Sequence, residues 1–474
     1  MCIITVNCLE FFCDLFKNKE VSSVGDMVFN ENTAKNEKKY ILLYERFKKL
    51  ISEGSLRPGD KLPSVRACAD SFSLSRTTVE TAYSLLSAEG YIVAKSQSGY
   101  YVSSIDFSLL SSPEAQKMKT DKSEKAIQYD LVSSSGDKDS FNFALWRRYI
   151  KSSLRQDERL LSYGEAQGEY DLREAICSYV NKQRGVICSP DQIVIAAGTQ
   201  SLIAILCAIT KEKRNVTFLG PQFAQGKAVF EDHGKSVGSA RYDALSQIPC
   251  GSTIYASPSH IDVWGSVLKM DKRAELLGFA KDNDCLIIED DYDSEFRYYQ
   301  RLVPSLQSLD SEGRVVYIGT FSKLLIPSIR ISFMVLPTAL SDEYRKRGRY
   351  YNQTASKTEQ IALCQYLRDG HLSYQIRKQQ KQYATKSKAV CARAEQMFGD
   401  RLIFERCEAG YLIKIRMKTD LSSQELTEKA LKRGIKIKPA GRNGEYSQLL
   451  ISVTGFDIEN CDDMLKTLGS ALLT

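Results

Sequence analysis

Six short runs in the later part of the chain limit what it can fold into: "QIVIAAG", "NVTFLG", "STIYAS", "CLIIED", "RVVYIG" and "ISFMVLP". Each is apolar without alternation, rich in β-branched residues, and bounded by Gly, Pro or an acidic residue. A strand with one wet face alternates, and these do not. Stretches of helical period, such as "TQSLIAILCAIT" and "KRAELLGFAKDN", separate several of them. Continuous apolar strands with helices between them give a mostly parallel sheet covered on both faces. The expected fold class is therefore α/β, with residues 129–474 forming one large domain around that sheet. Ligands in such sheets bind beyond the carboxyl ends of the strands.

The residues just past each run are chemically distinct. Gly198 ends the first, and Thr199 and Gln200 follow it and open a helix, whose free N–H groups suit an anion. Phe223 follows the second and offers a flat face. Ser259 and His260 follow the third. The fourth runs into Glu289-Asp290-Asp291-Tyr292-Asp293. The fifth ends in Thr320, Ser322 and Lys323, and Arg330 precedes the sixth. A cationic amine at the end of a core strand is costly to bury. The cost largely disappears if the amine forms an imine. A lysine for an aldehyde, a carboxylate for a ring nitrogen, an aromatic plate and a cationic, hydroxyl-lined anion site together fit pyridoxal 5'-phosphate. In that reading Lys323 holds the aldehyde and Asp290 the ring nitrogen. Tyr292 meets the ring oxygen, Phe223 stacks, and Arg330 with Thr320 and Ser322 holds the phosphate. Singly, each has a plainer reading: a surface lysine, a solvated acidic loop or weak magnesium site, a core phenylalanine.

Composition narrows the compartment and the chemistry. The thirteen cysteines are scattered with no C-x-x-C pair, which points to a reducing cytoplasm rather than a zinc or disulfide framework. Three histidines, His233, His260 and His371, supply metal or triad chemistry poorly, and no metal site is expected. No apolar run approaches the ~18 residues of a membrane span. Residues 1–37 read as a poorly ordered extension rather than a signal peptide.

The net charge of +7 is concentrated: residues 38–103 hold ten Lys/Arg against six Asp/Glu, so a polyanion partner is expected there. "YILLYERFKKLISEG" has an amphipathic helical period. "LRPGDKLPS" is a turn with Ser64 as N-cap, and "VRACADSF" a short helix. After the tight "SLS", "RTTVETAYSLLSAEG" is a second helix with Val79, Ala82, Tyr83, Leu85 and Leu86 facing inward. "YIVAK–SQSG–YYVSS" closes as a hairpin. This is the order of a winged helix-turn-helix, with Ser75, Arg76, Thr77 and Thr78 at the start of the helix that would enter a major groove. Residues 104–128, rich in Ser and Lys, read as a flexible linker.

"LRPGDKLPSVRACADSFSLSRTTVETAYSLLSAEGYI" resembles the DNA-binding domain of GntR-type bacterial regulators. "LLSYGEAQGEYDLREAICSYVNKQRGV", "IIEDDYDSEFRY" and "GTFSKLLIPSIRIS" resemble the aminotransferase-like domain of MocR/GabR-type regulators, a GntR subfamily fused to a fold-type I pyridoxal-phosphate fold. The resemblance implies double-stranded operator DNA, contacted by phosphate-binding Arg66 and Arg76, groove-reading Ser75, Thr77 and Thr78, and a wing with Lys95 and Gly99. It implies a homodimer, often head-to-tail, with Tyr163 approaching the phosphate from the other subunit. It also implies Lys323 as the Schiff-base lysine.

Departures from the family are local. Its wing tip, usually Gly-Ser-Gly, is Gln97-Ser98-Gly99. After "PSH" the usual Gln-aromatic-Pro-Thr-Gly is Ile261-Asp262-Val263-Trp264-Gly265. The stacking residue is Phe223. No arginine stands in "SQLLISVTG" to clamp a substrate carboxylate, and Arg442 is the candidate stand-in. The function expected is a cytoplasmic transcriptional regulator sensing a small amine or amino acid through aldimine exchange at Lys323. The alternatives are a working aminotransferase that also binds DNA, and a DNA-binding protein with a cofactor-free core.

Overall fold

The computed structural model describes residues 39–104, 127–132, 141–221, 223–297, 303–348, 350–408 and 410–473. The N-terminal extension and nearly all of the linker lie outside the described residues. The chain divides into two compact units, Met1–Lys122 and Ser123–Thr474.

In the first unit, helices α1 (Lys39–Ser52), α2 (Val65–Phe72) and α3 (Arg76–Ala88) precede a hairpin of β1 (Ile92–Lys95) and β2 (Gly99–Val102). Ser64 caps α2 by accepting from Ala67 N at 3.2 Å, and Ser75 caps α3 by accepting from Thr78 N at 3.2 Å. Ser73 between them takes a left-handed φ of 52°, which tightens the connection. Leu43, Phe47, Val79, Tyr83 and Leu86 are buried in one cluster with Ile92 and Val102. Burial of one such aliphatic side chain contributes about 1.5–3 kcal/mol. Leu85 is 36% exposed, contrary to the inward face expected for it. The helical period places 79, 82, 83 and 86 on one stripe and leaves 85 beside it.

The second unit carries a seven-stranded sheet. Its strands are β4 (Ile193–Ala196), β5 (Asn215–Leu219), β6 (Ser236–Ala240), β7 (Thr253–Ala256), β8 (Leu286–Asp291), β9 (Val315–Thr320) and β10 (Ser332–Val335), in the order 4-10-9-8-7-5-6. All six apolar runs are strands. The seventh, β6, lies at one sheet edge in "SVGSA", without an apolar run, and its side chains are largely exposed, whereas the other edge strand, β4, is buried. Helices α4 (Tyr170–Arg184), α5 (Thr199–Ile209), α6 (Ala224–Asp232) and α7 (Met270–Asp282) alternate with the strands. The pairs β5–β6, β5–β7, β7–β8 and β8–β9 are parallel, whereas β10 runs antiparallel to both β4 and β9. That reversal matters for the site. Ser332, the first residue of β10, pairs with Thr320, the last of β9. Arg330 is thereby delivered to the edge where the parallel strands end.

A second, antiparallel sheet has the order β11 (Ile403–Arg406), β12 (Leu412–Lys418), β15 (Tyr446–Ser452), β14 (Lys438–Asn443). A short strand, β13 (Ile435–Lys436), pairs in parallel with β3 (Tyr129–Asp130). No helix among the described residues is long and apolar enough to cross a membrane.

Candidate functional site

A cavity of about 570 Å³ opens at the carboxyl edge of the large sheet. Gly198, Thr199, Gln200, Phe223, Asp290 and Tyr292 line it, together with Thr320, Ser322, Lys323 and Arg330. The residues expected from the strand ends thus meet in one place. Tyr163 is apart from them: it is 99% exposed and does not border the cavity.

The carboxylates of "EDDYD" are buried, not solvated. Successive residues of β8 point to opposite faces, so each finds a different partner. Glu289 accepts from Leu306 N and Gln307 N at 2.9 and 3.0 Å. Asp290 accepts from the Tyr255 hydroxyl at 2.6 Å. Asp291 accepts from Arg184 Nε at 2.6 Å and the Tyr317 hydroxyl at 2.8 Å. Asp293 accepts from His260 Nδ1 and the Tyr411 hydroxyl, both at 2.8 Å. Burial pushes the Asp290 carboxyl up to about 6; the Tyr255 bond opposes this and the Asp291 charge adds to it. Asp293 moves the other way. Burial alone would raise it, but His260 and Lys323, with the Tyr411 bond, hold it well below the usual carboxylate range.

Lys323 Nζ donates to the Tyr411 hydroxyl at 3.2 Å and lies 4.5 Å from the centre of the Tyr292 ring. Burial depresses its ammonium below the ordinary lysine value, against the pull of Asp293 and Asp290. A lysine held toward its neutral amine is a nucleophile. One continuous chain of hydrogen bonds joins Lys323, Tyr411, Asp293 and His260.

At the other end of the cavity three features converge. Gly198 has φ 99°, and a Cβ there would collide with the Arg330 guanidinium, so only glycine lets the arginine rest against the start of α5. Arg330 itself adopts a left-handed φ of 47°. The Ser322 hydroxyl is buried without a hydrogen-bond partner among the described residues. Orphaned buried hydroxyls are uncommon, and one beside a guanidinium and a helix N-terminus fits an anionic oxygen. On the flank, Phe223 precedes α6, and a Cβ on Gly226 would collide with its ring. The donor set, the cradle and the buried Asp290 together fit pyridoxal phosphate.

The 261–264 segment is an ordered turn. Asp262 Oδ1 accepts from Trp264 N and Ser266 N at 2.9 and 3.1 Å, and Val263 borders the cavity. Arg442 does not reach the cavity. Its guanidinium donates to Gly444 O at 3.0 Å and Asp420 O at 3.1 Å, so it does not stand in for the absent clamp. Tyr255, Tyr411 and Lys438 border the site or its extension without having been read from the sequence. Tyr255 is hidden inside an apolar run, and the other two come from a separate sheet.

In the smaller unit Arg66, Ser75, Arg76, Thr77, Lys95 and Gly99 are exposed and Thr78 is half-buried. Neither Arg66 nor Arg76 has a hydrogen bond or ion pair among the described residues. Ser75 and Thr78 share a 2.7 Å hydrogen bond, so both hydroxyls serve the cap first. At the hairpin tip Gln97 takes φ 58°, a conformation that glycine adopts more readily. Ser98 bonds Tyr101 at 2.6 Å, and Lys95 lies 4.5 Å from the Tyr101 ring centre.

Two family models match the chain: bacterial regulatory proteins of the gntR family over residues 39–102, and aminotransferase class I and II over residues 134–468. The HTH-type transcriptional regulator YdeL of Bacillus subtilis is 34% identical, covering 86% of this chain and 90% of its own length. The probable rhizopine catabolism regulatory protein MocR of Rhizobium meliloti is 28% identical over 91% of this chain and 93% of its own. The HTH-type pyridoxine biosynthesis transcriptional regulator PdxR of Corynebacterium glutamicum is 27% identical over 72% and 75%. Among solved structures, an archaeal alanine:glyoxylate aminotransferase superposes with a TM-score of 0.64 at 20% identity, covering 73% of this chain and 90% of that one. Kynurenine aminotransferase of Pyrococcus horikoshii gives 0.61 at 21%, over 76% and 96%. These likenesses establish the fold of the larger unit.

Proposed function

The chain belongs to the GntR-family, MocR-type transcriptional regulators, in which a DNA-binding helix-turn-helix is joined to an aminotransferase-like domain, and from that premise we propose that its larger domain holds pyridoxal phosphate at Lys323 and senses a small amine or amino acid there. The observation that carries the reading is the placement of a depressed lysine and a buried aspartate in one cavity with the Gly198–Arg330–Ser322 cradle. Pyridoxal phosphate, when bound, supplies an aldehyde that reacts with primary amines.

The chain's own residues divide the work. Arg330, Ser322, Thr320 and the N–H groups of Thr199 and Gln200 would hold the phosphate. Asp290, kept in place by Tyr255, would keep a proton on the ring nitrogen. Phe223 would lie against the ring, and Tyr292 would meet its oxygen. Tyr411 and Asp293 hold the Lys323 amine in position and give its proton somewhere to go. In the smaller domain Arg66 and Arg76 are the proposed phosphate contacts, Ser75, Thr77 and Thr78 the groove contacts, and Lys95 with Gly99 the wing contact. We read the protein as a homodimer. Leu161 at 89% and Tyr163 at 99% exposure, two residues apart in the chain, are large side chains that a second copy would cover. Effector binding would then alter the spacing of two DNA modules.

Purified protein reconstituted with pyridoxal phosphate should show the visible absorption band of a lysine-bound cofactor, and Lys323→Ala should lack it. A preparation that stays colourless overturns the reading of the larger domain and leaves the DNA-binding assignment intact.

A further inference from the structure

A second cavity, of about 140 Å³, continues from the first. The two share His260, Val263, Tyr292, Lys323 and Lys438. Beyond that shared wall the smaller one is bounded chiefly by Leu131, Leu412, Leu450 and Ile451. Strand register explains the composition. Lys438 stands opposite Leu450 across β14–β15, and Leu412 opposite Ser452 across β12–β15. On the face these pairs share, the small sheet presents Leu412 and Leu450 with Ser452 and the Lys438 ammonium beside them.

The charges of the joined cavities leave two cations over. Asp290 is held by Tyr255, Asp293 by His260 and Tyr411, and Lys323 donates to Tyr411. Arg330 and Lys438 have no hydrogen bond or ion pair among the described residues. Arg330 borders only the larger cavity, and Lys438 borders both. A ligand set that pairs with both carries two anionic groups, one for Arg330 in the larger cavity and one for Lys438 on the shared wall, which Lys323 also borders. The phosphate accounts for Arg330. Arg442 is committed elsewhere, to Gly444 and Asp420. Lys438 is left for the second anion.

We propose that Lys438 anchors the carboxylate of an effector that is a small aliphatic amino acid, its amine directed to Lys323 and its hydrocarbon part against Leu412 and Leu450. The amine end rests on the reading of Lys323 given above; the carboxylate end rests on the cavity. The same wall sets the specificity. A bare alkylamine leaves Lys438 unpaired, and a dicarboxylate places its second charge against aliphatic side chains with no partner, which is costly.

The test uses the full-length, cofactor-loaded protein and follows its visible band. L-Alanine and L-valine are compared with ethylamine and isobutylamine, the same skeletons without the carboxylate, and with L-glutamate. Wild type should be half-saturated by the two amino acids at concentrations at least about tenfold below those for the amines, a difference of about 1.4 kcal/mol. Lys438→Met should abolish that preference, each amino acid being compared with its own amine in the same variant, and Lys438→Arg should keep it. Lys438 is exposed, so neither variant disturbs the core. Equal responses to acid and amine in wild type, no response to either amino acid, tighter binding of L-glutamate than of L-valine, or a Lys438→Met protein that keeps the preference would each overturn the proposal with the cofactor reading intact. A protein with no band overturns both, and the absence of colour tells the two failures apart.

Discussion

The hydroxyl of Tyr411 donates to Asp293 Oδ2 at 2.8 Å. Asp293 follows β8 of the large sheet, and Tyr411 immediately precedes β12 of the small one. The contact therefore ties the segments at the ends of the two sheets together, directly beside Lys323.

Tyr411→Phe removes that tie. Asp293 keeps His260 but loses a donor, and Lys323 loses its acceptor. Cofactor-free protein should lose about 1 kcal/mol of stability in urea unfolding. The pH at which the band of the loaded protein changes should also move. A variant unchanged in both respects would show that the chain of hydrogen bonds has no consequence.

A pH dependence follows from three buried carboxyls. Burial, with the Asp291 charge adding to it, raises Glu289 and Glu295 to about 7 and Asp290 to about 6. The folded protein thus retains protons that the unfolded chain releases near its ordinary carboxyl value of about 4. The stabilisation is complete below that value and is lost as pH rises through about 6 to 7. The thermal midpoint of cofactor-free protein should therefore fall between about pH 5 and about pH 8. Asp290→Asn should flatten part of the slope. Differential scanning calorimetry across that range decides it, and a rising midpoint contradicts the assignment.

Arg184 and Asp291 form an ion pair at 2.6 Å with side chains that are 2% and 1% exposed. Removing one partner strands the other charge. Arg184→Met should cost about 3–5 kcal/mol. Adding Asp291→Asn should recover part of the loss, since the stranded charge goes too. Chemical denaturation of both variants is the measurement, and strict additivity would argue against the pairing.

For the smaller unit, anisotropy titrations on the DNA upstream of the protein's own gene, at several salt concentrations, separate two kinds of contact. Arg66→Ala and Arg76→Ala should each reduce the slope of log affinity against log salt by about 1. Thr77→Ala should instead leave the slope and cost affinity for the operator relative to unrelated DNA. A Thr77→Ala protein with an altered salt slope, or arginine variants without one, would reassign these side chains.

Much of this was legible in the residues because the chemistry sits where strands end. Lys323, Asp290 and Gly198 each follow an apolar run, and the direction of a parallel sheet brings such positions together. What escaped reading came from elsewhere. Tyr255 lies inside "STIYAS", where its ring looks like core and only the third dimension shows the hydroxyl on Asp290. Tyr411 and Lys438 belong to the small sheet, far along the chain, and no local pattern marks their approach. β6 lacks an apolar run because its side chains are largely exposed, unlike those of β4 at the opposite edge. Leu85 was assigned inward on hydrophobicity, although its angle on α3 points outward. Arg442 was chosen for its charge, and Gly444 and Asp420 hold that charge away.

The reversed strand β10 has a mechanical meaning. Because it folds back against β9, the amine at 323 and the guanidinium at 330 share one short return between two neighbouring strands, Thr320 at one root and Ser332 at the other. The backbone that carries the lysine and the backbone that carries the arginine are thus a single loop, rooted at both ends in paired strands, and the second root is hydrogen-bonded on both sides.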